Sequence, residues 1–180
     1  MEAAKLIAVL TRMTGDLQLA EDACQDALVA ALEQWPNAGI PENPTGWLIT
    51  AAKHRALDVF RRRQRTGVKH EELGRELRDR ELQIPDLDTS LDVFIEDDLL
   101  RLIFIACHPA VSPEARVALT LRLLGGLATD EIARAFLTSE ATVAQRIVRA
   151  KRTLATKRVV FEVPEGREFS DRLASVLAVI

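Results

Sequence analysis

The stretch TDEIARAFLTSEATVAQRIVRAKRTLAT, residues 129–156, decides the fold. Asp130 to Phe136 reads as a short helix, Leu137-Thr138-Ser139 as a turn, and Glu140 to Leu154 as a longer second helix. Ile132 and Phe136 share one face of the first helix. Val143, Ile147, Ala150 and Leu154 recur at i, i+4, i+7 and i+11 on the second, so the two apolar faces can pack together. Ala133 falls where the crossing helices come closest and a side chain larger than alanine would push them apart. Thr129 and Ser139 stand at N-cap positions with acids just behind them, which suits the helix dipole. The segment therefore reads as a helix–turn–helix. Leu137 occupies the turn position where glycine is usual, and a left-handed leucine there carries a strain of roughly 1–2 kcal/mol.

On a wheel of the second helix, Gln145, Arg149 and Arg152 point away from the apolar stripe, with Thr142 and Arg146 on its flank. Arginine bonds bidentately to guanine and glutamine to adenine in the major groove, and the same cations neutralise phosphates. This is the pattern of a DNA-reading face. The plainer alternative is a solvated outer helix of a bundle, since charged outer faces are common.

The remaining 152 residues have the composition of helices. Tyrosine is absent, aromatics make up 4% of the chain, and alanine, leucine and arginine dominate, a mixture that favours helix over sheet. The expected fold class is all-α. At 180 residues and 48% hydrophobic content the chain can build one or two small cores. No apolar run approaches the ~20 residues that cross a bilayer, and nothing resembles a signal peptide, so the expected localisation is cytoplasmic. Cys24 and Cys107 sit on apolar helical stripes as core thiols, and Cys107-His108 lacks a second ligand at metal spacing. No nucleophile is placed with a base and no glycine-rich phosphate loop follows a strand, so neither an enzyme nor a cofactor or metal site is expected.

A net charge of −3 and a pI near 5.7 look wrong for a nucleic-acid binder until the charge is divided along the chain. Residues 13–52 carry six acids and no Lys or Arg; residues 53–65 hold a net +5, residues 66–100 a net −7 and residues 138–158 a net +5. Two basic modules can face a polyanion while acidic stretches face something else.

Taken in order, Ala3 to Met13 is a short helix with Leu6 and Leu10 on one side. Leu17 to Trp35 follows, with an inner stripe of Ala20, Cys24, Ala27, Leu28 and Ala31. Its opposite face carries Asp22, Asp26, Val29 and Glu33, with Gln25 beside them: an unpaired acidic stripe that is either solvated or a docking face for a basic partner helix. Pro36 to Thr45 reads as a loop of about ten residues. Gly46 to Arg65 forms the next helix, with Leu48, Ala52, Ala56, Val59 and Phe60 on its core side. His54, Asp58, Arg61 and Arg65 line another face near Trp47. Trp47 suits stacking on unpaired bases while the arginines hold phosphates, although a core anchor is the commoner use of tryptophan. Thr66 to Glu96 reads as an acidic tether broken by Pro85, with a helical stretch over Glu71 to Leu82. Asp97 to His108 and Pro113 to Leu124 are two apolar-rich helices, the second stopped by Gly125-Gly126.

Ala20-Glu21-Asp22-Ala23-Cys24-Gln25-Asp26, then Trp47 through Asp58 followed by arginines, and finally the helix–turn–helix, resemble in order and spacing the bacterial extracytoplasmic-function sigma factors. The resemblance implies a domain two over residues 1–65, a linker over 66–95, a helix–turn–helix domain four over 96–158 and the start of a C-terminal extension over 159–180. It implies that Asp22, Gln25, Asp26 and Glu33 dock on the β′ clamp helices of core RNA polymerase. Trp47, His54, Asp58, Arg61, Arg62 and Arg65 would engage the promoter −10 element, with His54 standing where the family commonly has asparagine. Thr142, Gln145, Arg146, Arg149 and Arg152 would read the −35 element. The β flap, an anti-sigma factor and the chain's own extension are the further partners so implied. Residues 169–180 resemble a helix start in a subgroup with a larger helical C-terminal domain, truncated here; such a tail can be disordered, pack onto domain four or join two copies. Against this stand an autonomous helix–turn–helix regulator, which would dimerise on a palindrome, and a helical interaction protein that does not touch DNA.

Overall fold

The computed structural model describes residues 2–65 and 91–179, without the side chains of residues 2, 60–65 and 91–96. The helix expected over Glu71 to Leu82 lies outside the described residues. The described residues form eight helices and no strand: α1 Glu2–Thr14, α2 Leu17–Ala38, α3 Pro44–Arg65, α4 Leu91–Ala106, α5 Pro113–Leu123, α6 Thr129–Ala135, α7 Glu140–Thr156 and α8 Gly166–Leu177. They fall into two compact units, an N-terminal one that holds α2, α3, α1 from Leu6 onward and α4 as far as Ile95, and a C-terminal one that holds α4 from Glu96 onward, α5 to α8 and the α1 residues Ala3–Lys5.

In the N-terminal unit α1 buries more than its two leucines, because Ile7, Ala8 and Val9 are buried as well. Its two buried hydroxyls are satisfied within the helix: Thr11 donates to the Ile7 carbonyl at 2.7 Å and Thr14 to the Leu10 carbonyl at 2.8 Å. Asp16 then caps α2, its Oδ1 accepting from the amides of Gln18 at 2.9 Å and Leu19 at 3.1 Å. The α2 seam of Ala20, Ala23, Cys24, Ala27 and Ala31 is buried and made of small side chains. Such a seam lets α3 approach closely with its own Ile49, Ala52 and Ala56, which are buried too. Leu28 is not part of it: it sits at the edge, partly exposed. Leu48, expected on the core side of α3, is only half-buried, and Ile49 takes its place.

The expected ten-residue loop is half as long. Pro36 lies inside α2, which continues to Ala38. The carbonyl that a proline amide cannot reach belongs to Leu32, 76% exposed, so water can take the missing bond. Gly39, at φ 84°, ends the helix, and its amide donates to the Trp35 carbonyl at 3.0 Å. Asn43 opens α3 two residues early by accepting the Gly46 amide at 2.8 Å, with Pro44 pre-set in the first turn.

Helix α4 starts at Leu91, six residues before the expected Asp97, and ends at Ala106, entering the C-terminal unit at Glu96. Leu102, Phe104, Ile105, Leu119, Leu123, Ile132 and Val143 are buried in the core of that unit. The turn after α5 needs both glycines. A Cβ on Gly125 would stand 2.7 Å from the Leu121 carbonyl oxygen, and Gly126 has φ 69°. The C-terminal segment packs onto this unit: Val176 joins Phe104 and Cys107 in one cluster, flanked by Ile103, Val163 and Val179. The Phe169 and Phe104 rings lie 5.6 Å apart. Arg172, 5% exposed, donates to the Phe104 carbonyl at 3.1 Å and to the Glu168 carboxylate at 3.4 Å.

Both cysteines are buried free thiols. Burial, and then the Glu21 carboxylate, push the Cys24 thiol up to about 11. Burial raises Cys107 as well, with its Sγ 3.5 Å from the Thr120 hydroxyl. His108 is held below its usual value by burial and then by the Arg172 charge, and its Nδ1 accepts the Ala110 amide at 3.0 Å. No described helix is long and apolar enough to cross a membrane.

Candidate nucleic-acid interface

The helix–turn–helix forms from α6 and α7. Its first cap differs from the expected Thr129: Ala128 is the N-cap residue, and the Glu131 carboxylate reaches back to accept its amide at 2.7 Å. Asp130 pairs with Arg134 along the same helix at 2.8 Å. Ile132 and Ala133 are buried as the pattern requires, but Phe136 is 47% exposed. The reason is local. The helix stops at Ala135, and Phe136, at φ −99° and ψ 9°, has left the register that would have carried it inward. Leu137 is left-handed at φ 50° and 96% exposed, so the turn adopts the glycine conformation without a glycine.

Ser139 caps α7, its hydroxyl accepting the Thr142 amide at 3.2 Å and lying 2.8 Å from the Thr142 hydroxyl. Thr142 is therefore half-buried and already engaged at the helix start. Val143, Ile147, Ala150 and Leu154 are buried, which turns Gln145, Arg149 and Arg152 to solvent. Arg149 donates to Gln145 Oε1 at 3.5 Å. Among the described residues, Arg146, Arg149 and Arg152 have no acidic partner. Arg146 is half-buried and helps line a cavity of about 290 Å³ together with Val117, Ile132, Phe136, Val143, Ala178 and Val179. Sequence reasoning missed Val148, which is 63% exposed on this same outward face. A valine outside the buried i, i+4, i+7 repeat was the available signal.

The N-terminal unit presents a second face, on α2. Asp22, Gln25, Asp26 and Glu33 are exposed as expected. The stripe is not unpaired, however. Arg55 of α3 forms an ion pair with Asp26, and Gln18 donates to Asp22 at 2.7 Å. Val29, 52% exposed, adds apolar surface beside the acids, and Leu32, also exposed, lies on the Gln25 flank of the helix. On α3, His54 and Asp58 are exposed, while the side chains of Arg61, Arg62 and Arg65 lie outside the described residues. Trp47 is half-buried against Trp35, with centroids 5.5 Å apart in an edge-to-face pair, an arrangement between the stacking and anchoring uses.

Two known family patterns match separate parts of this chain. Residues 2–66 match Sigma-70 region 2, and residues 101–154 match Sigma-70, region 4. Together the matches take in well over half of the chain. An uncharacterised protein of Rhizobium meliloti (strain 1021) is 42% identical over 95% of this chain and 40% of its own length. The probable ECF RNA polymerase sigma factor SigI of Mycobacterium tuberculosis is 25% identical over 89% of this chain and 54% of its own. The ECF RNA polymerase sigma factor SigG of the same species is 28% identical over 97% of this chain and 52% of its own. The chain thus spans about half the length of the curated relatives it matches. No solved structure matches it significantly.

Proposed function

This chain belongs to the ECF-type sigma factor family, and from that premise we propose that it binds core RNA polymerase and directs promoter-specific transcription initiation. The observation that carries this reading is the pairing of two unlike surfaces on one chain. The α7 face of Gln145, Arg146, Arg149 and Arg152 has cations with no acidic partner among the described residues, as a phosphate-binding surface requires. The α2 face mixes acids with exposed Val29 and Leu32, as a protein-docking surface requires.

In this mechanism α2 docks on the β′ clamp helices through Asp22, Gln25, Asp26 and Glu33, and the C-terminal unit meets the β flap. The start of α3, with Trp47, His54 and Asp58, together with Arg61, Arg62 and Arg65, handles the −10 element. Helix α7 enters the major groove at the −35 element, where Gln145 and Arg149 contact base edges and Arg146 and Arg152 hold phosphates. Thr142, tied to Ser139, contributes as a short fixed contact at the helix start. Core polymerase supplies the catalysis, in the cytoplasm. Helix α8 lies beyond the region 4 match, which supports membership in the subgroup with a helical extension after domain four. That extension, or an anti-sigma factor, is the regulatory partner of this reading.

Co-purification with core RNA polymerase tests it. The parent chain is expected to be retained, and Asp22→Lys combined with Leu32→Asp to be lost with helicity unchanged. Asp22 is preferable to Asp26 as the reversed charge because Asp26 also holds Arg55. Failure of the parent to bind polymerase, with DNA binding intact, would sink the sigma reading in favour of an autonomous regulator.

A further inference from the structure

The outward face of α7 has two edges of different chemistry. Gln145, Arg149 and Arg152 form the polar one, and Ala141, Ala144 and Val148 the apolar one, all of them exposed. Val148 is the conspicuous member. It is 63% exposed, it lies outside the buried stripe, and a β-branched side chain at a solvated helix position is a poorer helix former than the alanines around it. It sits one turn after Gln145 and one turn before Arg152, so a duplex that lies against this face closely enough to meet Val148 also lies within reach of those longer side chains.

Resting on the reading of α7 as the −35 helix, we infer that Val148 is a specificity-determining residue that packs against the 5-methyl group of a thymine in the −35 duplex. The major groove displays one apolar feature, that methyl group, and small aliphatic side chains are its complement. The alanines on the same edge leave room for the DNA to approach the valine closely, and the neighbouring polar side chains hold the helix in register. The −35 sequence is thus expected to combine guanine or adenine opposite the polar edge with a thymine opposite Val148.

The test uses the full chain with core polymerase and a −35 duplex enriched from a random library. Each thymidine is replaced in turn by deoxyuridine, which removes only the methyl group. One position is expected to lose about fourfold in affinity, the factor corresponding to one buried methyl-sized group at about 0.8 kcal/mol. Val148→Ala should weaken binding to the thymidine duplex by a similar factor and abolish the difference between thymidine and deoxyuridine, while Val148→Ile should retain it. Because Val148 is a surface residue, both variants are expected to fold. Equal affinity for every deoxyuridine duplex, or an unchanged methyl effect in Val148→Ala, overturns the inference while leaving the −35 reading in place. No sequence-selective duplex binding at all, or full binding by Arg149→Ala, overturns that reading and the inference with it.

Discussion

Helices α2 and α7 are each amphipathic, each bury an unbroken stripe, and each leave a charged face outside, yet they solve different problems. The α2 seam is alanine and cysteine, so α3 lies close and one of its cations, Arg55, reaches over to hold Asp26. The α7 stripe is valine, isoleucine, alanine and leucine, and packs against α5 and α6 on its inner side, leaving its arginines without acids among the described residues. A surface that binds protein gains most from apolar anchors that can be desolvated, and α2 shows Val29 and Leu32. A surface that binds a polyanion needs cations that are not already neutralised, and α7 keeps them. Charge sign alone would have separated the two helices; pairing and apolar exposure say what each is suited to meet.

The sharpest way to break this comparison is to invert one face and watch the other. Arg146→Glu with Arg149→Glu is expected to weaken promoter binding at least ~30-fold, as two lost phosphate or base contacts at roughly 1–3 kcal/mol each imply. Polymerase binding should be unchanged, and a pull-down beside a fluorescence-anisotropy titration reads both. Loss of polymerase binding in that variant would mean that the two faces are not separate.

A smaller effect distinguishes the inner stripes. The α2 stripe contains a thiol raised to about 11 from 9.0, whereas the α7 stripe has no titratable side chain. Burial favours the neutral thiol, so its contribution is fully present below pH 9 and is lost as pH rises toward about 11. That loss approaches 1.4 kcal/mol per pH unit and totals roughly 2 kcal/mol. Urea unfolding between pH 8 and 11 should show the decline in the parent and a shallower one in Cys24→Ala.

At the α7 entrance, Leu137→Gly should relieve a left-handed, solvent-exposed leucine and stabilise the C-terminal unit. The gain is at most about 1 kcal/mol, because the glycine also frees the unfolded chain. A lower urea midpoint in that variant would show that the leucine is supported by contacts in the fold. The smallest effect belongs to Arg55→Ala: the Arg55–Asp26 pair is about half exposed on both sides, and its removal should change stability by less than about 1 kcal/mol. Polymerase retention should hold or rise slightly as Asp26 is released, whereas a large loss would make Arg55 part of the docking face.

Much of the fold was legible because it rests on short-range rules. The repeat from Val143 to Leu154, the Ser139 cap and the paired Gly125 and Gly126 all act within a few residues, and the structure follows them. The misses have equally local causes on closer view. A proline at position 36 predicts a helix stop, but at a solvated helix end the missing amide costs little. Helical periodicity places Phe136 on an inner face, but α6 abandons that period one residue earlier.

What the sequence determined by itself was the all-α class, the order of the two units, the helix–turn–helix and the sign of each outer face, because periodicity and charge are properties of neighbouring residues. Only the tertiary structure decided that Asp26 meets Arg55 across 29 residues, that Trp47 rests on Trp35 and that α8 folds back onto Phe104 through Arg172. Those outcomes depend on which helix surfaces come within a few ångströms of one another, and that distance is set by the packing of whole helices.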